Sequence, residues 1–364
     1  MLSHTVFGVD TIVVGVVVTV VTLLRVRCMP PSIMALIIGM CMSPFLQNRF
    51  GFTPEAFLYL MLPPIVLRSG IEFKWSTSRR TWKTALLFAT VGTVMSAAYI
   101  FFGCIATESA DIHSCARLGS VLSSTDPVAV LSILSNYNVP EKMKSVLENE
   151  ALTNDGIAAM LTHIITSTWS ASDATMNFVV GLMVTATLGS GVGYLSASTD
   201  KPLAILGLAV STYAGCELMG GSGILSMFIF GITHRCRSAA DDLRKIVVPL
   251  AELADIYCVF ALGTEARNIV DIDVYVAVNV TVACIVGRIL HVFILGYSSC
   301  QGWYTSHLAF MSFCCSRGAL SYALARSSEN GDRVDVTVGT TVLFVVLVTT
   351  FMTTSVGYFA RAFF

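Results

Sequence analysis

Charged residues are scarce in this chain. Of its 364 residues only 12% are Asp, Glu, Lys or Arg, whereas soluble domains carry about 25%. Hydrophobic residues make up 55% of the chain and the mean hydropathy is +0.75, which excludes an ordinary soluble domain and predicts a polytopic membrane protein. The net charge of −1 and the lack of a long basic run give no indication of a nucleic-acid partner.

Cofactor and disulfide patterns are lacking as well. The eleven cysteines form no CxxC pair, and no His/Cys group has metal-ligand spacing, so no resident cofactor is expected. Small buried thiols are favoured over a disulfide framework, because eight cysteines lie in or beside apolar segments. These are Cys28, Cys41, Cys104, Cys216, Cys258, Cys284, Cys314 and Cys315. The first apolar run has no basic n-region, so a cleavable signal peptide is not expected.

Long apolar runs, by contrast, are abundant. Runs of about 20 residues, enough to cross a bilayer as a helix, occur thirteen times. The predicted spans are 9–26, 32–47, 53–70, 83–107, 114–136, 143–168, 175–197, 201–216, 219–234, 244–265, 273–298, 304–326 and 336–361. Local breaks such as Pro30-Pro31, the Arg79-Arg80 loop and Pro140 separate them, so one membrane domain is predicted over residues 1–364, with no soluble regulatory domain.

The lysines and arginines predict the orientation of these spans. If the N-terminus lies outside, fifteen of the 22 Lys and Arg residues fall in inner loops, five fall in outer loops, and Arg288 and Arg317 fall within spans. This distribution favours an outer N-terminus and a cytosolic C-terminus. It leaves open whether the membrane is the plasma membrane or that of an organelle.

Two of the spans are interrupted at matching positions. If thirteen spans divide into six, one and six, the fifth and the twelfth correspond to each other. The fifth contains SSTDPVAVL, where Pro127 removes an amide donor, and the twelfth contains CCSRGALSY, where Gly318 weakens the helix. Paired broken helices that carry polar residues indicate the ion site of a secondary transporter.

Opposite charges lie at these two breaks. Asp126 is predicted to offset the partial positive charge of a helix N-terminus exposed by the break, and Arg317 to offset exposed carbonyls at helix C-terminal ends. The alternative is that Asp126 only caps a helix that follows a loop.

The sixth span carries Glu150, Asn154 and Asp155. Glu150 and Asn154 are about 40° apart around a helix and share a face, whereas Asp155 points about 140° from Glu150. We therefore expect a structural ion pair between Glu150 and Arg288, which is alone in an apolar span and would be costly to bury unpaired. Asp155 is then left to carry an ion. If the span instead began later, Glu150 would lie in an interfacial loop.

A lone buried carboxylate is suited to ion exchange. Such a group is neutralised either by a proton or by a small hard cation held with neighbouring oxygens. Because the two ligands compete for one site, their fluxes across the membrane are coupled.

Seven motifs together give the chain a family resemblance. They are LPPIVLRSG (62–70), TDPVAVL (125–131), ENEALTNDG (148–156), SGILSMFIFG (222–231), PLAELADIYCVFALG (249–263), IVGRIL (285–290) and SRGALSYALA (316–325). In order and spacing the chain resembles the sodium/proton exchanger (NhaP/NHE-type, cation-proton antiporter 1) family over about residues 10–360.

The resemblance implies an all-α NhaA-like antiporter fold of about thirteen transmembrane helices, with two inverted six-helix repeats and two crossing broken helices. It implies that an ion-transport bundle of about 83–168 and 244–364, without the interface helices, moves in elevator fashion against a dimerisation bundle of about 9–70 and 175–234. A homodimer in membrane lipid that contributes to pH regulation and sodium transport is the corresponding expectation.

The resemblance also implies roles for individual residues. Those assigned are Asp155 and Asn154 at the cation- and proton-binding site, Thr125 and Asp126 in the unwound crossing segment, Glu150 and Arg288 in the buried ion pair, Arg317 in the second broken helix, and Glu252 as an accessory acid. An Asn-Asp pair in place of Asp-Asp marks the electroneutral branch, with Na⁺ bound transiently by Asp155 and exchanged for H⁺. K⁺ or Li⁺ as the cation stays open.

Departures from the family pattern keep other functions in view. Arg68 stands where the family has an acidic residue, and Ala151 where it has a serine, which together suggest a transport-impaired, sensor-like relative. A cation channel is a further alternative. The GxSG pattern at Ser222, with His234 or His291 as base, would fit an intramembrane serine protease. The chain is nevertheless expected not to be an enzyme.

Overall fold

The protein is all-helical throughout the part of the chain that its computed structural model describes. That part comprises residues 13, 15–22, 31–46, 52–126, 140–167, 171–238, 241–269, 272–299, 305–327 and 333–359. Each of the thirteen predicted spans overlaps a helix there. The prediction of an all-α polytopic fold is therefore confirmed.

The helices follow the predicted spans closely. In the first half the helices are residues 15–22, Pro31–Met42, Pro54–Ile71, Trp75–Ile105, Ile112–Val121 and Glu141–Ser167. Two of them contain a π-helical turn, at Phe57–Met61 and at Phe88–Gly92. In the second half they are Ala171–Ser196, Pro202–Leu218, Gly223–Arg237, Asp241–Thr264 with a 3₁₀ turn at Glu265–Asn268, Val274–Ser299, Thr305–Phe313, Ala319–Ser327 and Arg333–Phe359.

Five helices in the described ranges are long and apolar enough to cross a membrane. They are Ser78–Ile105, Ser172–Ser196, Asp241–Arg267, Val274–Tyr297 and Thr337–Ser355. The helix Glu141–Ser167 is 27 residues long, about 40 Å at 1.5 Å per residue, but it carries the charges of the ENEALTNDG segment. Its length spans a bilayer, and its polar residues must be satisfied inside the protein.

Two predictions about local structure are wrong. Arg79 and Arg80 lie within the helix Trp75–Leu87 rather than in a loop, because long cationic side chains let a helix extend beyond its apolar stretch into a polar environment. Cys104 forms a disulfide with Cys115 instead of remaining a thiol. The turn between their helices brings the two Cα atoms to 5.4 Å, a proximity that helix periodicity alone does not reveal.

The helices pack as two groups. One contains Pro31–Met42, Pro54–Ile71, Ala171–Ser196, Pro202–Leu218, Gly223–Arg237 and Asp241–Thr264; the other contains Trp75–Ile105, Ile112–Val121, Glu141–Ser167, Val274–Ser299, Thr305–Ser327 and Arg333–Phe359. We call them the scaffold group and the core group. They meet where Glu141–Ser167 packs on Gly223–Arg237 and where Ala319–Ser327 packs on Pro54–Met61.

Both predicted breaks are non-helical. After Ile112–Val121 the chain is irregular from 122 to 126, and residues 314–318 separate Thr305–Phe313 from Ala319–Ser327. Pro127, to which the first break was attributed, lies outside the described residues. The two irregular segments touch, since the Asp126 amide donates to the Ser316 carbonyl at 2.8 Å.

Candidate ion-binding site

The unwound segment before Pro127 is held to the helix Glu141–Ser167 by neighbouring side chains. The Asn154 amide donates to the Thr125 hydroxyl at 2.7 Å, and its oxygen accepts from the Thr125 backbone N–H at 3.2 Å. The adjacent residues also meet, since the Ser124 hydroxyl donates to Asp155 Oδ1 at 2.7 Å. All four residues are buried, so Asn154 fixes the segment while Asp155 faces its oxygen atoms.

Asp155 has no ionic partner in the described part of the chain. It takes part in no ion pair there, and the hydrogen bond that its Oδ1 accepts comes from the Ser124 hydroxyl. A buried carboxylate whose nearest ligand is a neutral hydroxyl keeps capacity for a proton or a cation.

Arg317 lies where the sequence prediction requires a positive charge. Its side chain is fully buried. Its Nη1 donates to the carbonyls of Ser123 and Ser124 at 3.0 and 2.7 Å, and its Nη2 donates to the Ser96 hydroxyl at 3.3 Å. These carbonyls follow the end of the helix Ile112–Val121, where carbonyls have no intrahelical partners.

The crossing of the two breaks is tight. A Cβ on Gly318 would lie 2.9 Å from Asp126 Cβ and 2.9 Å from Asp126 Cγ. Real Cβ atoms do not approach other carbon atoms so closely, so only glycine allows this crossing.

Glu150 and Arg288 form a buried, two-pronged ion pair. Arg288 Nη1 donates to Glu150 Oε1, and Nη2 donates to Oε2 at 3.2 Å. Each side chain is only 2% exposed, and Glu150 lies well inside a helix that begins at Glu141. It is therefore not in an interfacial loop. The stabilising role that the sequence predicts for this ion pair stays a prediction.

His291 supports the same pair. Arg288 Nη1 lies 3.1 Å from His291 Nε2, and His291 Nδ1 lies 2.9 Å from the Gly287 carbonyl. Because arginine only donates and a carbonyl only accepts, Nδ1 carries the proton and Nε2 accepts. A hydrogen-bonded packing residue, rather than a proton relay, fits this geometry.

Two large cavities approach Asp155 from opposite ends of its helix. One, of about 1000 Å³, is lined by Ala159, Met160 and His163 of this helix. The other, of about 960 Å³, is lined by Glu148, Asn149 and Leu152. Leu152 and Ala159 are about 10 Å apart along the helix, and Asp155 lies between them. We call the first the outer cavity and the second the inner cavity, according to the orientation that the basic residues predict.

The sequence analysis did not single out two polar residues near this site. Ser124, the hydrogen-bond partner of Asp155, precedes Thr125 in SSTDP and could have been found by extending that motif. Asp255 follows Glu252 by three residues, lines the inner cavity and accepts from the Ser32 hydroxyl at 3.1 Å. The Glu252 side chain is 60% exposed and contacts Arg68 at 3.6 Å.

The two departures from the family pattern have distinct surroundings. Arg68 contacts Glu72 at 3.1 Å as well as Glu252, and it lines the inner cavity. Ala151, one turn before Asp155, is buried and offers no side-chain oxygen there.

The protease alternative lacks its geometry. The Ser222 hydroxyl accepts from the Leu225 amide and so caps the helix Gly223–Arg237. His234 bonds to Ser196, and His291 bonds to Arg288 and Gly287. In the described ranges neither histidine bonds to Ser222. No group of three His, Cys, Asp or Glu residues in these ranges could hold a metal ion.

A family profile decides the assignment of this chain. The profile described as "Sodium/hydrogen exchanger, transmembrane" matches residues 12–361. The chain belongs to the sodium/hydrogen exchanger family. It is thus an integral, multi-pass membrane protein of a transporter family, as the motifs predicted.

Individual exchangers and antiporters resemble it. It is 27% identical over 240 residues to the Na(+)/H(+) antiporter ApNhaP of Aphanothece halophytica, covering 61% of this chain and 46% of that protein. It is 29% identical over 304 residues to the endosomal/prevacuolar sodium/hydrogen exchanger of Saccharomyces cerevisiae, covering 72% and 47%. The chain therefore spans about half the length of these curated relatives.

The fold matches that of a solved family structure. The sodium proton antiporter MjNhaP1 from Methanocaldococcus jannaschii superimposes with a TM-score of 0.81 over 99% of both chains, at 17% sequence identity. This likeness establishes the antiporter fold for the chain.

Proposed function

We propose that this protein exchanges a monovalent cation for a proton across a membrane. One observation carries the proposal: Asp155 is buried, bonded to the neutral Ser124 hydroxyl, and positioned between two cavities that approach from opposite ends of its helix. Family membership and the antiporter fold support it.

Exchange follows from competition at Asp155. When the cation is bound, the Asp155 carboxylate is ionised, and oxygen atoms of the unwound segment, including the Ser124 hydroxyl, complete the coordination shell of the cation. When the cation leaves, a proton neutralises the buried carboxylate. Asn154 holds Thr125 in place during both states, because its amide bonds to both the backbone and the side chain of that residue.

The exchange is electroneutral in this proposal. Glu150 is occupied by Arg288, and Asn154 does not titrate, so Asp155 alone changes protonation. One proton is then released for each monovalent cation bound. Sodium is the proposed cation, with potassium as the alternative.

Alternating access takes the form of an elevator movement in this proposal. The core group carries the unwound crossing, Asp155 and the Glu150–Arg288 pair, and it would move against the scaffold group. Asp241–Thr264 packs with Pro31–Met42 and Leu62–Ile71, so it counts among the interface helices. We further propose a homodimer, an outer N-terminus and a cytosolic C-terminus.

A second candidate is a transport-impaired relative that senses cations or pH. Ala151 favours it, because this buried residue offers no side-chain oxygen near Asp155.

Purified protein in liposomes separates these functions. We expect a preset pH gradient to dissipate when Na⁺ is added, with smaller or equal responses to K⁺ and Li⁺, and no signal from a membrane-potential dye. A dye response without proton movement would indicate a channel. Cation binding without any flux would indicate the sensor-like relative.

A further inference from the structure

The inner cavity is lined by balanced charges. Its carboxylates in the described part of the chain are Glu72, Glu148, Glu252 and Asp255, and its cations are Arg68, Lys74, Arg235 and Arg244. Glu72 pairs with both Arg68 and Arg244, at 3.1 and 3.0 Å, and Glu252 pairs with Arg68. The carboxylates of Glu72 and Glu252 therefore offset the positive charge of Arg68, so that Arg68 does not repel cations strongly.

Asp255 differs from Glu72 and Glu252, which are both paired. Within the described ranges it makes no ion pair, and the hydrogen bond that its Oδ2 accepts comes from the neutral Ser32 hydroxyl. It lies one helical turn beyond Glu252, on a wall of the cavity. A carboxylate with a hydroxyl beside it presents two kinds of oxygen ligand, which hard cations prefer.

Ser32 connects the inner cavity to a second, smaller space. This chamber has a volume of about 20 Å³ and is bordered by Ser32, Asp126, Arg317 and Gly318. Such a volume holds one water molecule, for which about 10–15 Å³ is enough. The chamber thus lies between Asp255 and the crossing of the two broken segments.

An arginine with an unsatisfied donor lines the chamber. Arg317 is fully buried, and its Nε has no hydrogen-bond partner within the described part of the chain. A buried N–H without a partner is costly unless an oxygen ligand meets it, and the chamber beside Arg317 is large enough for one water molecule. Ser32, the hydrogen-bond partner of Asp255, lines this chamber together with Asp126, so polar groups continue from the cavity wall to the crossing.

We propose that Asp255 and Ser32 form a staging site that binds the monovalent cation on the inner side before it reaches Asp155. This inference rests on the proposed exchange function. The incoming cation loses part of its hydration shell to the Asp255 carboxylate and the Ser32 oxygen. It then passes the water-sized chamber beside Asp126.

Asp255→Asn tests the staging site. We expect it to raise the apparent KM for the cation about tenfold when the cation is supplied to the inner face, because a charged ligand contributes about that much affinity. The KM at the outer face should stay unchanged. Everted and right-side-out membrane vesicles present the two faces separately. Asp242→Asn is the matched control, since it removes a carboxylate on the same helix that is paired with Lys245 and does not line the cavity.

Each outcome is informative. An inner-face KM equal to that of the unmodified protein would overturn the staging site while leaving exchange intact, and so would an equal change at both faces. If the unmodified protein shows no exchange, the proposed function fails, and binding decides the inference instead. Stabilisation of the detergent-solubilised protein by added Na⁺ should then shrink in Asp255→Asn but not in Asp242→Asn. Equal stabilisation of both variants would overturn it.

Discussion

At the scale of single residues, the site separates two carboxylates that lie close in sequence. Glu150 is occupied by Arg288 on one side of the helix Glu141–Ser167, and Asp155 faces the unwound segment on another. Their angular separation around the helix gives one carboxylate a permanent countercharge and leaves the other for a transported ion.

Asp155→Asn should abolish cation-driven proton movement. The amide keeps the shape of the side chain but neither ionises nor balances the charge of a bound cation. Fluorescence of a pH-sensitive dye inside proteoliposomes measures the loss. Asp173→Asn, at an exposed position in the first turn of Ala171–Ser196, should exchange normally. Retained exchange in Asp155→Asn would refute the site assignment.

Arg288→Ala should destabilise the protein by about 3–5 kcal/mol, because it leaves Glu150 buried without a partner. Adding Glu150→Ala should recover part of that loss. Thermal unfolding in detergent, or the yield of monodisperse protein, measures both effects. Strictly additive losses in the double variant would show that the two side chains are not energetically coupled.

At the scale of elements, two interrupted helices create a polar centre inside an apolar bundle. The segments 122–126 and 314–318 expose backbone groups that the protein satisfies with Asn154, Arg317 and each other. A non-helical backbone at membrane depth is tolerated only when it is buried in protein in this way.

Gly318→Ala tests the close contact between these segments. The added methyl would lie 2.9 Å from Asp126 Cβ, so the crossing must open, at a cost of about 1–3 kcal/mol. We expect a lower thermal midpoint and slower exchange. Gly207→Ala is the control, since nothing lies within 4 Å of the added carbon. Equal behaviour of the two variants would contradict a tight crossing.

At the scale of the whole molecule, the scaffold and core groups meet at few places. At one of them Phe52 packs on Tyr322, with 5.1 Å between ring centroids, and the Tyr322 hydroxyl donates to Glu265 at 3.2 Å. An elevator movement must break these contacts, because Tyr322 lies in the core group and Glu265 follows the scaffold helix Asp241–Thr264.

A covalent link across this junction should therefore stop exchange. A thiol-reactive crosslinker with a reducible spacer joins the two groups in Phe52→Cys with Tyr322→Cys, and a reductant should reverse the block. Ser78→Cys with Ser145→Cys, treated with the same reagent, is the control, because these hydroxyls are 3.2 Å apart within the core group. Exchange that continues in the crosslinked Phe52/Tyr322 variant would exclude relative movement at this junction.

Much of this organisation could be predicted from the sequence. Each apolar run that the sequence predicts as a span overlaps a helix in the described residues, and the interruptions at Asp126 and Gly318 located the crossing. The contacts of Arg317 follow from the need of helix C-termini for positive charge. The disulfide of Cys104 and the contact of Ser32 with Asp255 could not be predicted, because they join residues whose proximity depends on how separate helices pack.

The amino-acid sequence by itself determined the membrane class, the order of the spans, the family, and the divergence of Glu150 from Asp155. These properties depend on hydrophobicity and on the helical repeat, which are local. Only the tertiary structure decided which oxygens surround Asp155, where the two cavities end, and that Asp255 lies on the inner one. A cavity forms where segments distant in the chain leave space unfilled, and a ligand set forms where their side chains meet. Local periodicity of the sequence predicts neither.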